Sequence, residues 1–131
     1  MSNVEIVRRY VELLNQTREP PAELCDSEIE LVMFRGSPIA GPYHGYEGLR
    51  QWRADTFDVI EDWRLELDEV ITGDDPDVMV ALQRFVGRTA HTDLAVDFPL
   101  AVVVRFRDGL IWRFEGYRKR ADALKAAGLR E

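Results

Sequence analysis

Histidine and cysteine, two residue types often used in catalysis, are scarce in this sequence. It holds two histidines, His44 and His91, and a single cysteine, Cys25. His44 lies in a stretch of glycines and prolines, and His91 lies beside Thr92 and Asp93, so both predict exposed loops. A general acid or base must reach the reacting atom, and loop histidines are not placed to do so.

No spacing of ligand-type residues suggests a metal or a cofactor. The histidines and acidic residues do not match a zinc site. There is also no glycine-rich phosphate loop, no CxxC pair and no Ser-His-Asp order. We therefore expect no metal and no cofactor. The lone Cys25 excludes an internal disulfide and favours a reducing, cytoplasmic location.

The net charge of the chain argues against one class of partner, the nucleic acids. The chain carries a net charge of −7, and between residues 55 and 77 only Arg64 opposes the acids. An acidic chain without a dominant basic face is poorly suited to bind phosphate backbones, so nucleic acid is not an expected partner. No apolar run approaches the ~18–20 residues that span a bilayer, so no membrane partner is expected either.

The helices that would position any site come early in the chain. With 131 residues, the chain fits one domain covering residues 1–131. Val4, Val7, Val11 and Leu14 recur at helical spacing and predict a first helix, which Glu19-Pro20-Pro21 ends. A short second helix is expected over residues 21–26 and a third over 46–62.

Alternating strands follow the helices. One strand is predicted through Ile29, Leu31 and Met33, and a four-stranded meander follows. Its strands are expected over residues 63–72, 78–89, 94–107 and 110–118. Asp108-Gly109 is a strong hairpin signal between the last two. Helices followed by an antiparallel meander predict an α+β fold.

The strand over residues 94–107 is the most informative. One face is wholly apolar: Leu94, Val96, Phe98, Leu100, Val102, Val104 and Phe106. The other face is mixed. Such a strand is expected to place its apolar face on a core or cavity and its other face on a weaker interface or water.

Three stretches resemble the SnoaL-like branch of the nuclear transport factor 2-like superfamily, whose members include ketosteroid isomerases and polyketide cyclases. Residues 41–52 (GPYHGYEGLRQW) resemble the loop into the third helix of that fold, and residues 107–111 (RDGLI) resemble its final hairpin. Tyr117, Arg120 and residues 123–129 resemble its ending.

The resemblance implies a fold and a pocket. The fold would be a cone-shaped curved antiparallel sheet with three N-terminal helices packed across its concave face. A ligand would lie between the helices and the sheet. The ligand-binding residues expected on this basis are Tyr10, Arg35, Trp52, Phe98, Leu100, Val102, Trp112 and Phe114.

The resemblance also implies chemistry that the matching positions do not support. Isomerases of this superfamily need a carboxylate base and donors to the oxyanion that forms. Tyr10 matches the donor tyrosine and is the one candidate for a catalytic role. The positions matching acidic residues in relatives are one within residues 33–37, Val102, Gly116 and one within residues 83–86 (QRFV), and none of these residues is acidic.

Three functions stay open from the sequence. The first is a pocket protein that binds a small apolar, cyclic or aromatic molecule. The second is an isomerase or cyclase-like enzyme that uses Tyr10 with another acid, such as Asp55. The third is a non-catalytic protein-interaction module with a filled core. A homodimer is expected through the outer sheet face, which carries Ala101, Val103, Ile111 and Tyr117.

Overall fold

Helices cover both faces of one six-stranded sheet in the computed structural model, which describes residues 1–34, 36–37, 41–58 and 60–130. The helices are α1 (Asn3–Thr17), α2 (Gly45–Phe57) and α3 (Arg120–Ala126). The strands are β1 (Cys25–Val32), β2 (Tyr43–His44), β3 (Ile60–Thr72), β4 (Val78–Thr89), β5 (Ala95–Arg107) and β6 (Leu110–Tyr117). Their order across the sheet is β2-β1-β6-β5-β4-β3.

The first helix forms as its apolar spacing predicts. Ser2 caps its N-terminus: the Ser2 hydroxyl accepts a hydrogen bond from the Glu5 backbone N–H at 3.2 Å, and Glu5 accepts one from the Ser2 backbone N–H at 3.3 Å. Arg18 ends the helix in the left-handed region, with φ of 65°. The buried stripe consists of Ile6, Val7, Tyr10, Val11 and Leu14.

The helical predictions fail in two places. The segment at residues 21–26 forms only a 3-10 turn, Ala22–Leu24. The helix expected to reach residue 62 ends at Phe57, and the chain is already in β3 at Ile60. Residues 56, 59 and 60 are β-branched, which lowers helix propensity at that point and favours a strand.

The expectation of three N-terminal helices on one face is also wrong. Only α1 and α2 cover the first sheet face, and the third helix of the fold, α3, comes from the C-terminus. It packs on the opposite face through Ala123 and Leu124, against Val80 and Val103.

The sheet is mixed and not purely antiparallel. The meander β3–β6 is confirmed, with β4 and β5 in unbroken register from Val78↔Arg105 to Arg88↔Ala95. However, β1 lies parallel to β6. Parallel pairing between the first and last strands joins distant parts of the chain, so local alternation gives no sign of it. The short strand β2 was also not predicted.

Strand β5 is covered on both faces at its C-terminal half. Val102, Val104 and Phe106 belong to the larger core, which also contains the buried residues of α1 and α2. Ala101 and Val103, which are 3% and 0% exposed, lie under α3. Ile111 is 0% exposed and lies on the opposite, cavity-facing side, so three of the four residues that motivated a sheet-to-sheet dimer are buried within the chain. No helix in the described parts of the chain is long and apolar enough to cross a bilayer.

Candidate functional site

A cavity lies between α1, α2 and the sheet, where the sequence predicts a pocket. It is lined by Val7, Tyr10, Val11, Leu31, Met33, Trp52, Leu65, Ala81, Gln83, Val102, Val104, Ile111 and Phe114. Its volume is about 40 Å³. A buried water needs ~10–15 Å³, so the cavity admits a few waters as it stands.

The lining is uncharged. Its polar side chains are Tyr10, Trp52 and Gln83, and the others are aliphatic, thioether or phenyl groups. Tyr10 Oη and Trp52 Nε1 are buried without a hydrogen-bond partner, as is Thr56 Oγ1 one turn further along α2. An unsatisfied buried donor costs about 1–3 kcal/mol. Two of these three atoms belong to cavity residues, which is where a ligand could satisfy them.

Tyr10 is held as a neutral donor. Its side chain is 6% exposed, and its ring packs against Phe114 with centroids 5.1 Å apart. Burial, followed by the effect of nearby Cys25, raises the pKa of Tyr10 well above its usual value. Burial also raises the pKa of the Cys25 thiol to about 12. Both groups therefore stay protonated near neutral pH, and the thiol is not a reactive nucleophile.

The sheet floor of the cavity contains no acid at the positions matched to relatives. Val102 on β5 pairs with Ala81 on β4 and with Gly116 on β6, so the three lie side by side. Met33 fills the space beside Gly116, since a Cβ built on that glycine would be 2.4 Å from Met33 Sδ. The thioether thus occupies the place that an acidic side chain at position 116 would need.

The structure brings together four of the eight expected ligand-binding residues. Tyr10, Trp52, Val102 and Phe114 line the cavity. Leu100 packs at the edge of the same core without lining the cavity. Arg35 lies outside the described residues.

Phe98 and Trp112 lie away from the cavity, each for a different reason. Phe98 is on the correct face of β5 but remains 39% exposed, stacked on Phe34 at 6.5 Å between centroids. Trp112 is the extra residue of a β-bulge, because Arg105 pairs with Arg113 while Phe106 pairs with Ile111. The bulge brings Ile111 into the cavity lining and leaves Trp112 under the Arg107 guanidinium, 5.0 Å from the ring centroid.

Gln83 is the cavity residue whose chemistry was not recognised in the sequence. It shares a face of β4 with Met79 and Ala81, both 1% exposed. The sequence signal that could have identified it is a polar residue, Gln83, on the same strand face as the apolar Met79 and Ala81. Its amide can both donate and accept, so the cavity can match a neutral polar group but offers no charge.

The acid and histidines considered for catalysis lie on the surface. Asp55 is exposed on α2, where it accepts hydrogen bonds from the Tyr43 hydroxyl at 2.8 Å and the Gln51 amide at 2.7 Å. His44 lies 3.1 Å from Glu28, and both side chains are mostly exposed. His91 is also exposed. Within the described ranges, no three histidine, cysteine or acidic residues are grouped as a metal site would require.

Comparison with known sequences points to one family. The family model described as the SnoaL-like domain matches residues 7–114. No protein of curated function matches the chain in sequence.

Solved structures share the fold at low sequence identity. A Catenulispora acidiphila protein with a ketosteroid isomerase-like fold, in complex with trimethylamine, is 19% identical, with 96% and 94% of the two chains covered and a TM-score of 0.70. RV0760c from Mycobacterium tuberculosis, in complex with estradiol-17β-hemisuccinate, is 16% identical, with 92% and 97% covered and a TM-score of 0.73. TerC, co-crystallised with polyporic acid, is 18% identical, with 95% and 96% covered and a TM-score of 0.73.

Proposed function

The chain belongs to the SnoaL-like domain family, and from that premise we propose that it binds a small, largely apolar, cyclic or aromatic molecule in the cavity between α1, α2 and the sheet. The observation that carries the proposal is the cavity lining, which is apolar except for Tyr10, Trp52 and Gln83. A mainly apolar cleft with a few neutral polar groups is the usual form of a small-molecule site.

The size of the cavity limits the ligand and requires one side chain to move. About 40 Å³ is too small for an aromatic ring, since an engineered cavity of ~150 Å³ binds benzene. Met33 is the adaptable part of the wall: it is half-buried just after β1, and its thioether chain has three rotatable bonds. We infer that ligand entry displaces Met33 from its position beside Gly116.

The lining favours binding over proton transfer. An isomerase needs a base within hydrogen-bond reach of a reacting carbon-bound proton. No Asp, Glu or His lines the cavity, and Asp55 is engaged at the surface. The enzyme alternative therefore lacks its acid among the described residues.

The proposal predicts that filling the cavity abolishes ligand binding. Ala81→Val adds two carbon atoms to a cavity residue that is 1% exposed. Toluene, titrated while methyl resonances of Val7, Leu65 and Val104 are followed by NMR, should perturb those signals in the wild-type protein. It should bind at least about tenfold more weakly to Ala81→Val, because the added methyl groups take the space of the ring.

The control is Ala95→Val, the same change at an exposed position of β5, which should leave toluene binding unchanged. Absence of toluene binding to the wild type would contradict the proposal and favour the protein-interaction module. Turnover of a steroid enone by the wild type would instead establish the isomerase.

A homodimer through the outer sheet face stays a prediction, but its expected contacts change. The open part of that face carries ion pairs in place of the apolar residues now buried under α3. Arg84 contacts Glu66 at 2.6 Å, Asp68 at 3.1 Å and Asp97 at 3.2 Å. These pairs are satisfied within one chain and leave an excess of acids, so two copies of this region repel each other unless salt screens their charge.

Sedimentation velocity at micromolar concentration tests the dimer. We expect a dimer at physiological ionic strength that weakens as salt is lowered, because the like charges of the two copies are then less screened. A monomer at physiological ionic strength, or a dimer insensitive to salt, would contradict an interface formed by this ion-pair region. The cytoplasmic location and the single-domain organisation also stay predictions, the former supported by the single, buried Cys25.

A further inference from the structure

The indole N–H of Trp52 is a buried donor without an acceptor. Trp52 lines the cavity from α2, is 7% exposed, and its Nε1 has no hydrogen-bond partner among the residues that the structure describes. Indole nitrogen can only donate, so another donor cannot satisfy it. Buried tryptophan N–H groups usually have a partner, which makes this one unusual.

Neighbouring rings hold the indole in place. Phe57 contacts Trp52 edge-on, with centroids 5.2 Å apart and planes at 73°. Phe57 is itself stacked on Trp63 at 4.1 Å and contacts Phe85 at 4.8 Å. Turning the indole N–H out to water would disrupt this aromatic cluster, so its missing acceptor has to come to it.

The cavity lining restricts what that acceptor can be. Among the described residues, no Lys, Arg or His lines the cavity, so a carboxylate entering it would find no countercharge in that lining. A hydrocarbon would leave the N–H unsatisfied. A neutral oxygen acceptor avoids both costs: water can accept from the N–H in the empty cavity, and a ligand that displaces the water has to bring its own oxygen.

We propose that Trp52 Nε1–H is the polar anchor of the ligand, and that the ligand is a small neutral carbonyl compound whose oxygen accepts this hydrogen bond. The inference rests on the proposed function, because it names the ligand class of the same cavity. It assigns Trp52 a binding role from α2, independent of any role of Tyr10 on α1.

A matched pair of probes tests the anchor. Acetophenone and α-methylstyrene have the same shape, but a CH₂ group replaces the carbonyl oxygen in the second. One hydrogen bond should make acetophenone bind roughly tenfold more tightly to the wild type. In ¹⁵N NMR spectra, the Trp52 indole proton should move downfield with acetophenone and not with α-methylstyrene.

Variants assign the preference to the N–H group. Trp52→Phe should reduce the acetophenone to α-methylstyrene affinity ratio to about one, even if both probes bind differently in the altered space. Replacement of Trp52 by benzothienylalanine, which has sulfur in place of N–H, gives the same test with the ring size kept. Tyr46→Phe is the matched control: its hydroxyl donates to the Cys25 carbonyl at 3.1 Å, outside the cavity lining, so the ratio should not change.

The outcomes separate this inference from the proposed function. Equal binding of the two probes to the wild type, or a ratio unchanged by both Trp52 replacements, would overturn the anchor and leave an apolar binding protein. Failure of both probes to bind would overturn the proposed function together with the anchor. A tenfold preference lost only in the Trp52 variants would establish both.

Discussion

Val102→Asp should make the stability of the protein fall steeply as pH rises from about 4.5 to 8. Val102 is 5% exposed on the cavity floor, where no cationic side chain lies among the lining residues. An ionised carboxylate there would be desolvated and unpaired, so the folded protein favours its protonated form. We expect a loss of about 3–5 kcal/mol relative to wild type at pH 8.

The direction of the pH effect follows from proton binding. The aspartate pKa in the unfolded chain is ~3.9, and burial raises it in the folded protein. Between those two values the unfolded chain has released the proton that the folded protein keeps. The unfolded state then binds fewer protons, so stability falls by up to ~1.4 kcal/mol per pH unit and levels off above the folded-state pKa.

Urea unfolding of the variant and the wild type at several pH values measures this effect. The free energy of unfolding of the wild type is compared with that of the variant at each pH. The comparison is needed because native carboxylates also respond to acid. Burial alone would raise the pKa of Glu115, but hydrogen bonds from Arg105 at 3.1 Å and Arg113 at 2.6 Å outweigh it and lower that pKa. This native contribution to stability is lost as pH falls through the lowered pKa, the opposite direction to the variant.

Val102→Asn is the matched control, with nearly the same shape and no ionisation. It should cost about 1–3 kcal/mol, and the cost should not depend on pH. A pH-independent loss in Val102→Asp would mean that bulk solvent or a cation reaches position 102, contrary to the burial of Val102 in an uncharged lining.

Phe57→Ala should cause the largest loss of stability among the phenylalanine truncations considered. Phe57 is 1% exposed and contacts the rings of Trp52, Trp63 and Phe85. Removing it deletes buried apolar surface and leaves a cavity among three aromatic rings, so we expect a loss of about 3–5 kcal/mol. Urea denaturation measures this loss as a lower midpoint concentration, provided that the m-value, the slope of the unfolding free energy against urea concentration, is unchanged.

The same substitution at Phe98 provides the comparison. Phe98 is 39% exposed, and its ring contact is with Phe34. Phe98→Ala should cost less than about 1 kcal/mol and should leave toluene binding unchanged. Comparable losses from the two substitutions would show that Phe98 belongs to the core, as the alternation of its strand predicts.

The parts of the fold that could be predicted depend on local pattern. The helical spacing of apolar residues predicted α1. The alternation of apolar and polar residues, together with the Asp108-Gly109 turn, predicted the meander. The β4–β5 register is unbroken, so alternation correctly placed Val102 on the cavity face. On β6 the bulge at Trp112 shifts the faces by one residue, and only the pairing with β5 reveals it.

The remainder depends on contacts between distant segments. Phe98 has the face that alternation predicts, but the exposure of its ring depends on what covers that end of the strand. The parallel pairing of β1 with β6 and the packing of α3 on the outer face likewise join segments far apart in sequence. The absence of acids from the cavity was predictable because it follows from residue identity at Val102 and Gly116.

The packing of Met33 against Gly116 also constrains how this protein could evolve or be redesigned. An aspartate introduced at position 116 alone would place its Cβ against the Met33 sulfur, so the thioether would have to leave before a carboxylate could occupy that wall. Shortening Met33 alone would widen the cavity without adding chemistry. Because the thioether is flexible, a carboxylate at position 116 would displace it as a ligand does, so the acid and the ligand would compete for the same space.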